Sequence, residues 1–317
     1  MIMENSFLTK YSHVYGKKNA LLLKLSGLAS GEVNGERCWV YDEAGRKYLD
    51  FGSYGVHLLG HCHPRIMQTA RAQIGKLGLS TKILGNKNAI DCAGNLLSIL
   101  PSKMKSVIFT NSGSESTELA IKAAVLATDK NEFISFTNAY HGKTTGAYNL
   151  TYQSIQKPQK FFSKIDVHFF EPQIEESEGI KELMKKGRIA GVFIEPIQGE
   201  GGINIISLEF LETLYKLCKE NGVIFVLDEI QTGLGRCGSV WAAVKENLCP
   251  DILLCGKVLG GGLAPIAAVI LKEGFKIVDD PIITASSFSG GAFSTSIANK
   301  VINIVKDTQF TEDIQKK

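Results

Sequence analysis

The chain has no C-x-x-C pair, and its seven cysteines are odd in number and scattered. A disulfide-stapled secreted scaffold is therefore excluded, and reduced thiols in a cytoplasmic setting are the expectation. The opening MIMENSFLTK lacks a basic stretch followed by an apolar one, so it does not read as a secretory signal. Long apolar runs are missing too. LAPIAAVIL, from Leu263 to Leu271, falls far short of the roughly 20 residues that cross a bilayer. Charge of one sign is not in excess, with 35 basic against 32 acidic residues and a net charge of +3. Neither nucleic acid nor an anionic membrane surface is called for as a partner. Internal repeats, low-complexity segments and obvious linkers are absent as well.

What remains is an ordinary globular composition, 44% hydrophobic and 21% charged over 317 residues, enough for one large domain or two smaller ones. CWVYDEAGRKYLDF reads as two short strands around an Ala44-Gly45 turn. From about residue 100, the runs SVIFT, FISF, GVFIEP, VIFVLDE, DILLCG and IAAVIL alternate with amphipathic segments. One of these, SLEFLETLYKLCKENG, puts Leu211, Leu214, Tyr215 and Cys218 on one helical face and stops at Asn221-Gly222. Strands alternating with helices predict an α/β domain with a mostly parallel sheet. The last helical pattern, STSIANKVINIVKDTQF, is expected to lack the second layer that would cover it.

In open α/β sheets ligands gather at the carboxyl ends of strands, and Lys257 lies just past DILLC. A phosphate-binding P-loop fails there, because its first glycine would fall at Asp251 and its hydroxyl at Val258. Two readings stay open: a lysine snorkelling from a strand end, or a Schiff-base lysine whose amine is kept reactive by partial burial. Asp228-Glu229 ends another apolar strand, and a carboxylate there could reach a cationic ligand nitrogen or simply cap the next turn. A strand runs into Gly113-Ser114, with Ser112 to Glu115 fitting a capping box, so backbone N–H groups at a helix start are available to a phosphate. Tyr140 could present a ring to a planar ligand, or pack beneath a loop. GLGRCG spells a dinucleotide fingerprint but does not abut its strand, and GHCHP has no second ligand set at metal spacing; it reads as a turn before a helix from Pro64.

Taken together, GHCHP, NSGSES, AYHGK, EPIQGEGG, LDEIQTGLGR, GKVLGGG and SSFSGG, in this order and spacing, resemble the class III (ω-amino-acid and ornithine type) aminotransferases. These are pyridoxal-phosphate (PLP) enzymes of fold type I, and the resemblance runs from about residue 20 to the end. It implies an aspartate-aminotransferase-like α/β fold: residues 1–50 in a small domain, 51–292 in the large PLP-binding domain, and 293–317 leading into a C-terminal domain that the chain lacks. Lys257 matches the lysine that forms the internal aldimine, Asp228 the carboxylate that keeps the pyridine nitrogen protonated, and Gln231 the amide beside the phenolic oxygen. Gly113 and Ser114 match the phosphate cup, Tyr140 the stacking ring, and His141 follows it in the cofactor-binding set. Ser287 matches a hydroxyl, usually threonine, that reaches the phosphate of the neighbouring subunit, which implies a homodimer. Glu200 matches a gate glutamate whose arginine partner would lie past Lys317, so a truncated chain is expected. Tyr54 and Lys143 stand where ornithine-type members contact the amino acid, although those members carry arginine at the second position. The implied activity moves an amino group from an ornithine-, acetylornithine-, putrescine- or lysine-like donor to a 2-oxo acid such as 2-oxoglutarate or pyruvate. A same-fold epimerase or aminomutase, or a non-catalytic cofactor-binding remnant, are the alternatives.

Overall fold

The computed structural model describes residues 7–51, 53–156, 165–245 and 247–316. Two packed helices, α1 (Phe7–Tyr15) and α2 (Lys17–Leu25), precede an antiparallel sheet of β1 (Glu32–Glu36), β2 (Trp39–Asp42) and β3 (Lys47–Leu49). The turn between β2 and β3 is the one expected: Gly45 takes φ +75°, and the Asp42 carboxylate accepts from the Ala44 and Arg46 amides. Next come α3 (Pro64–Ile74), with Pro64 in its first turn, and α4 (Lys87–Leu97), capped by the Asn86 side chain.

The alternating part follows as β4 (Met104–Thr110), α5 (Gly113–Thr128), β5 (Glu132–Phe136), α6 (Thr145–Leu150), α7 (Gln153–Gln156), β6 (Asp166–Phe170), α8 (Ser177–Lys185) and β7 (Ile189–Ile194). A two-residue ladder of β8 (Ile197–Gln198) and β9 (Asn204–Ile205) leads to α9 (Leu208–Asn221), β10 (Ile224–Asp228), β11 (Ile252–Cys255) and β12 (Ala267–Lys272). The chain then forms α10 (Pro281–Thr284), α11 (Ala292–Val305) and α12 (Thr308–Gln315).

Seven strands make one sheet in the order β4-β12-β11-β10-β7-β5-β6, all parallel except β12, which runs against β4 and β11. The mostly parallel α/β fold is thus as expected. Both faces are covered, so the inner strands read as near-continuous apolar runs rather than alternating with polar residues. The period of two still sorts their side chains. Leu227, Leu253 and Ile270 join one core with α4, α9 and α11, whereas Val226, Leu254 and Val269 face α5 on the other side. Phe210 on α9 is wholly buried and meets Phe136 edge-on at 5.6 Å; truncating such a side chain costs roughly 3–5 kcal/mol.

Two expectations are corrected, and one strand is added. Strand β6 was not legible, because DVHFF lies at the sheet edge, half-buried, with no clean alternation. At α5 the Ser112 hydroxyl accepts from the Glu115 amide at 3.2 Å, but the Glu115 carboxylate reaches the Asn111 amide at 2.9 Å instead of closing the box on Ser112. Finally, α11 does not lie uncovered. Its Ile297, Ala298, Val301 and Ile302 are wholly buried, and it packs on α3 and α4.

Candidate active site

The carboxyl ends of the parallel strands surround a cavity of about 180 Å³. Parallel register sets Asp228, the last residue of β10, beside Leu254 on β11, and Lys257 follows two residues after β11 ends. Gly256 is extended, and Lys257 then takes φ +42° at the head of a short 3₁₀ turn. A left-handed lysine costs roughly 1–2 kcal/mol, so the surrounding packing imposes that direction. Its side chain lines the cavity. Burial lowers the ammonium pKa below the ordinary lysine value, and the charges of Asp228, Glu200 and Glu195 only partly oppose this.

The two acids at the end of β10 point apart. Asp228 is 4% exposed and lines the cavity; its Oδ1 accepts from the Ile230 amide at 3.0 Å, and its Oδ2 lies 2.8 Å from His141 Nδ1. Glu229 turns away and is fully enclosed, accepting from the Ala242 and Ala243 amides at 2.8 and 2.9 Å and from the Thr232 hydroxyl. Burial raises its pKa and these donors counter the rise. Glu229 therefore ties down the 241–243 segment and is no part of the cavity.

His141 is buried among Asp228, Phe193 and Thr151, whose hydroxyl accepts from the His141 amide. Burial opposes its cation, but the hydrogen bond and charge of Asp228 outweigh burial and raise its pKa. Its Nε2 is enclosed without a partner among the described residues. Tyr140, half-buried, donates its amide to Glu195 Oε1 at 2.9 Å. Glu195 follows the apolar run of β7 just as Asp228 follows that of β10, yet the sequence reading gave it no role. Burial, with Asp228 adding to it, takes the Glu195 pKa up to about 7, against the pull of His141, the Tyr140 amide and Lys257.

Opposite the acids lies the start of α5, where the first amides of a helix have no intrahelical acceptor. Two glycines keep this wall bare. A Cβ on Gly113 would come within 2.9 Å of Ile230 Cδ1, and one on Gly142, at φ +135°, would run into the Ser114 hydroxyl. Gln231 completes the lining, and Gly199 lies so close that a Cβ there would overlap the Gln231 amide.

The structure thus brings Gly113, Ser114, Tyr140, His141, Asp228, Gln231 and Lys257 around one cavity. Four other expected residues do not line it. Tyr54 is 83% exposed, has φ +50°, and borders a separate hollow beside α1 and β3. Glu200 is exposed, close enough for its charge to act on Lys257 and Tyr140. Lys143 gives its amide to Ser114 Oγ at 3.2 Å while its side chain faces solvent. Ser287 is exposed, beside the 63% exposed Phe288. The GHCHP motif forms a turn in which His61 lies 2.7 Å from Asp50 and stacks on His57 at 3.8 Å; no group suited to a metal ion occurs among the described residues.

With this geometry in hand, the comparisons with known proteins agree. The family model for class-III aminotransferases matches residues 31–317. The chain is 36% identical over 280 residues to the acetylornithine aminotransferase of Aquifex aeolicus, covering 86% of this chain and 73% of that protein. It is 34% identical over 297 residues to the probable mitochondrial acetylornithine aminotransferase of Dictyostelium discoideum, covering 90% of this chain and 64% of that relative, so it spans just under two thirds of the latter's length. Among solved structures it superposes on the ornithine aminotransferase of Toxoplasma gondii with a TM-score of 0.81 at 28% identity, covering 90% of this chain and 68% of the other. The chain belongs to the class-III aminotransferase family, a branch of the fold type I PLP enzymes.

The residues present fit that cofactor. A flat cationic heterocycle needs a buried carboxylate, and Asp228 is one, held from behind by His141. An anionic tail needs bare amides, and the Gly113 and Gly142 wall, where a side chain would not fit, leaves them open at a helix start. An aldehyde needs an amine that is not strongly protonated, and burial moves Lys257 in that direction.

Proposed function

We propose that this protein is a PLP-dependent aminotransferase that takes an amino group from an ornithine- or acetylornithine-like donor and passes it to a 2-oxo acid. The observation that carries the reading is the meeting, in one cavity, of a desolvated lysine amine with a buried carboxylate–histidine pair. When bound, PLP supplies a reactive aldehyde and an electron-accepting ring. The Asp228 carboxylate would hold a proton on the ring nitrogen, with His141 keeping that carboxylate oriented. The amides of Gly113 and Ser114 would hold the phosphate, and Tyr140 would cover the ring. Gln231 would offer its amide to the ring's phenolic oxygen. Lys257 Nζ, kept from full protonation by burial, would accept the proton from the substrate carbon that bears nitrogen and deliver it to the cofactor carbon on the other side of that nitrogen. Positioned acid–base groups of this kind contribute about 10²–10⁴-fold.

Donor choice belongs to the rim, where Tyr54, Lys143 and Glu200 would meet the substrate. The relatives' names support an acetylornithine- or ornithine-type donor over putrescine or lysine. For the partner we propose a second copy of this chain: Ser287 and Phe288 stand on an exposed, partly apolar stretch that a dimer would cover.

Two measurements test the reading. Borohydride reduction of the yellow protein, followed by peptide mass spectrometry, should find the cofactor fixed on Lys257. Incubation with ornithine or acetylornithine and 2-oxoglutarate should then yield glutamate. An adduct on another lysine, or racemisation of the donor with no amino transfer to any oxo acid, would overturn the proposal.

A further inference from the structure

Beyond Gln231 the cavity is followed by a second hollow of about 670 Å³, bordered by Arg37, Asp50, His57, Leu58, Gln231 and Arg236. Gly55 roofs the boundary: a Cβ there would stand 3.6 Å from Gln231 Nε2 and 3.9 Å from Lys257 Cδ. Arg236 donates from Nη2 to the Gly55 carbonyl at 2.6 Å. Its Nε is enclosed without a partner, and its Nη1 makes no hydrogen bond to any described residue. No carboxylate among the described residues pairs with it. Asp50, which borders the same hollow, is engaged by His61 and Ser53.

A half-buried guanidinium without a counter-charge is unusual, because a desolvated cation is costly unless paired. Burial indeed lowers the Arg236 pKa, and no carboxylate offsets it. Holding one backbone carbonyl uses one of five donors, and a neutral amide could do as much. The planar fork of arginine matches a carboxylate, and Leu58 and Leu59 beside it would pack a short methylene chain.

We propose that this hollow is a carboxylate subsite in which Arg236 receives the substrate carboxylate remote from the transferred nitrogen, the chain between them passing Gln231. The inference rests on the aminotransferase reading and deepens it. It also explains why Arg236 and Gln231 lie on the turn that directly follows Asp228: one segment would set both ends of the substrate.

The test uses the full-length holoenzyme and glutarate, a dicarboxylate with neither amine nor carbonyl, beside the uncharged pentane-1,5-diol. Calorimetry should show glutarate binding and no diol binding. Arg236→Gln should weaken glutarate at least tenfold and Arg236→Lys by less, with cofactor absorbance unchanged in both. On the unaltered protein, glutarate and not the diol should slow phenylglyoxal modification of Arg236, read by peptide mass spectrometry, at least fivefold. Unprotected Arg236, or equal glutarate affinity in wild type and Arg236→Gln, overturns the subsite. Protection without amino transfer to any oxo acid would leave the subsite standing and remove the aminotransferase reading; transfer without protection would do the reverse.

Discussion

The floor of the reaction cavity and its rim are built differently. Asp228, His141 and Glu195 sit at the ends of strands, or just past them, on a sheet whose central residues are wholly enclosed, and each is fixed by at least one hydrogen bond within the chain. The rim comes from turns. Ser53, Tyr54 and Ile203 hold positive φ, and Phe51, Tyr54 and Ile203 are 89%, 83% and 74% exposed. On the proposed reading, rigid packing positions the groups that would handle protons and the ring, whereas the surface offered to substrates is left open to adjust.

The sharpest way to break that contrast is Lys257→Ala. We expect the rate of amino transfer to fall by about 10²–10⁴-fold or more, because in the proposed reaction the amine acts on the reacting carbon itself. Stability of the cofactor-free protein should hold or rise slightly, since a desolvated amine is removed. Single-turnover kinetics check the first point and urea unfolding the second. A rate loss under tenfold would take the lysine out of the floor.

Glu229→Ala probes the same strand end from the other side. Three donors, the Ala242 and Ala243 amides and the Thr232 hydroxyl, would lose their acceptor inside the core. A cost of roughly 3–5 kcal/mol follows from unsatisfied buried groups. Asp228→Asn, which keeps its acceptor for the Ile230 amide, should be milder in stability and more severe in activity. Urea unfolding of both variants decides it, and a Glu229→Ala cost below 1 kcal/mol would mean that the two acids are not divided in this way.

The third contrast depends on pH. Glu195 has a folded pKa of about 7, above the ordinary carboxyl value of 4.5. Between those values the folded chain keeps a proton that the unfolded chain has released. Stability is therefore lost as pH rises through this window, and the loss is complete above about pH 7. Glu195→Gln keeps an acceptor for the Tyr140 amide and removes the titration. Relative to wild type, the cofactor-free variant should gain about 1–3 kcal/mol between pH 5 and pH 8, at 1.36 kcal/mol per pKa unit. A gap that stays flat with pH breaks the assignment.

These contrasts also mark what could be read in advance. Strands β7, β10 and β11 were legible because a strand buried on both faces is one continuous apolar run, broken abruptly by Glu195, Asp228 or Gly256-Lys257. The division of labour between Asp228 and Glu229 was not, since it depends on where the backbone bends after β10. The cover over α11 was hidden because its partners lie far upstream; the Asn95–Asn299 hydrogen bond spans 204 residues. Arg236 lies in both the family-like LDEIQTGLGR and the misleading glycine motif, but neither assigns its side chain a role, and its contact to Gly55 spans 181 residues. Periodicity reports which face of an element is buried. It does not report which distant segment does the burying, and charge pairing across such distances is equally silent.

The smallest expected effect is at the rim. Tyr54 is so exposed that Tyr54→Ala should change stability by no more than about 0.5 kcal/mol, the usual range for a surface site. Both residues suffer the same left-handed φ there, so strain does not favour either. If Tyr54 meets the donor, its loss removes binding made equally in the ground and transition states. KM for the amino donor should then rise by up to about tenfold with kcat nearly unchanged. Steady-state kinetics with two donors of different length would show whether the rise depends on the donor, as a specificity surface requires. A stability loss beyond about 1.5 kcal/mol, or a fall in kcat with KM intact, would instead place Tyr54 with the floor, and the distinction between a fixed base and an adjustable edge would fail at its most exposed residue.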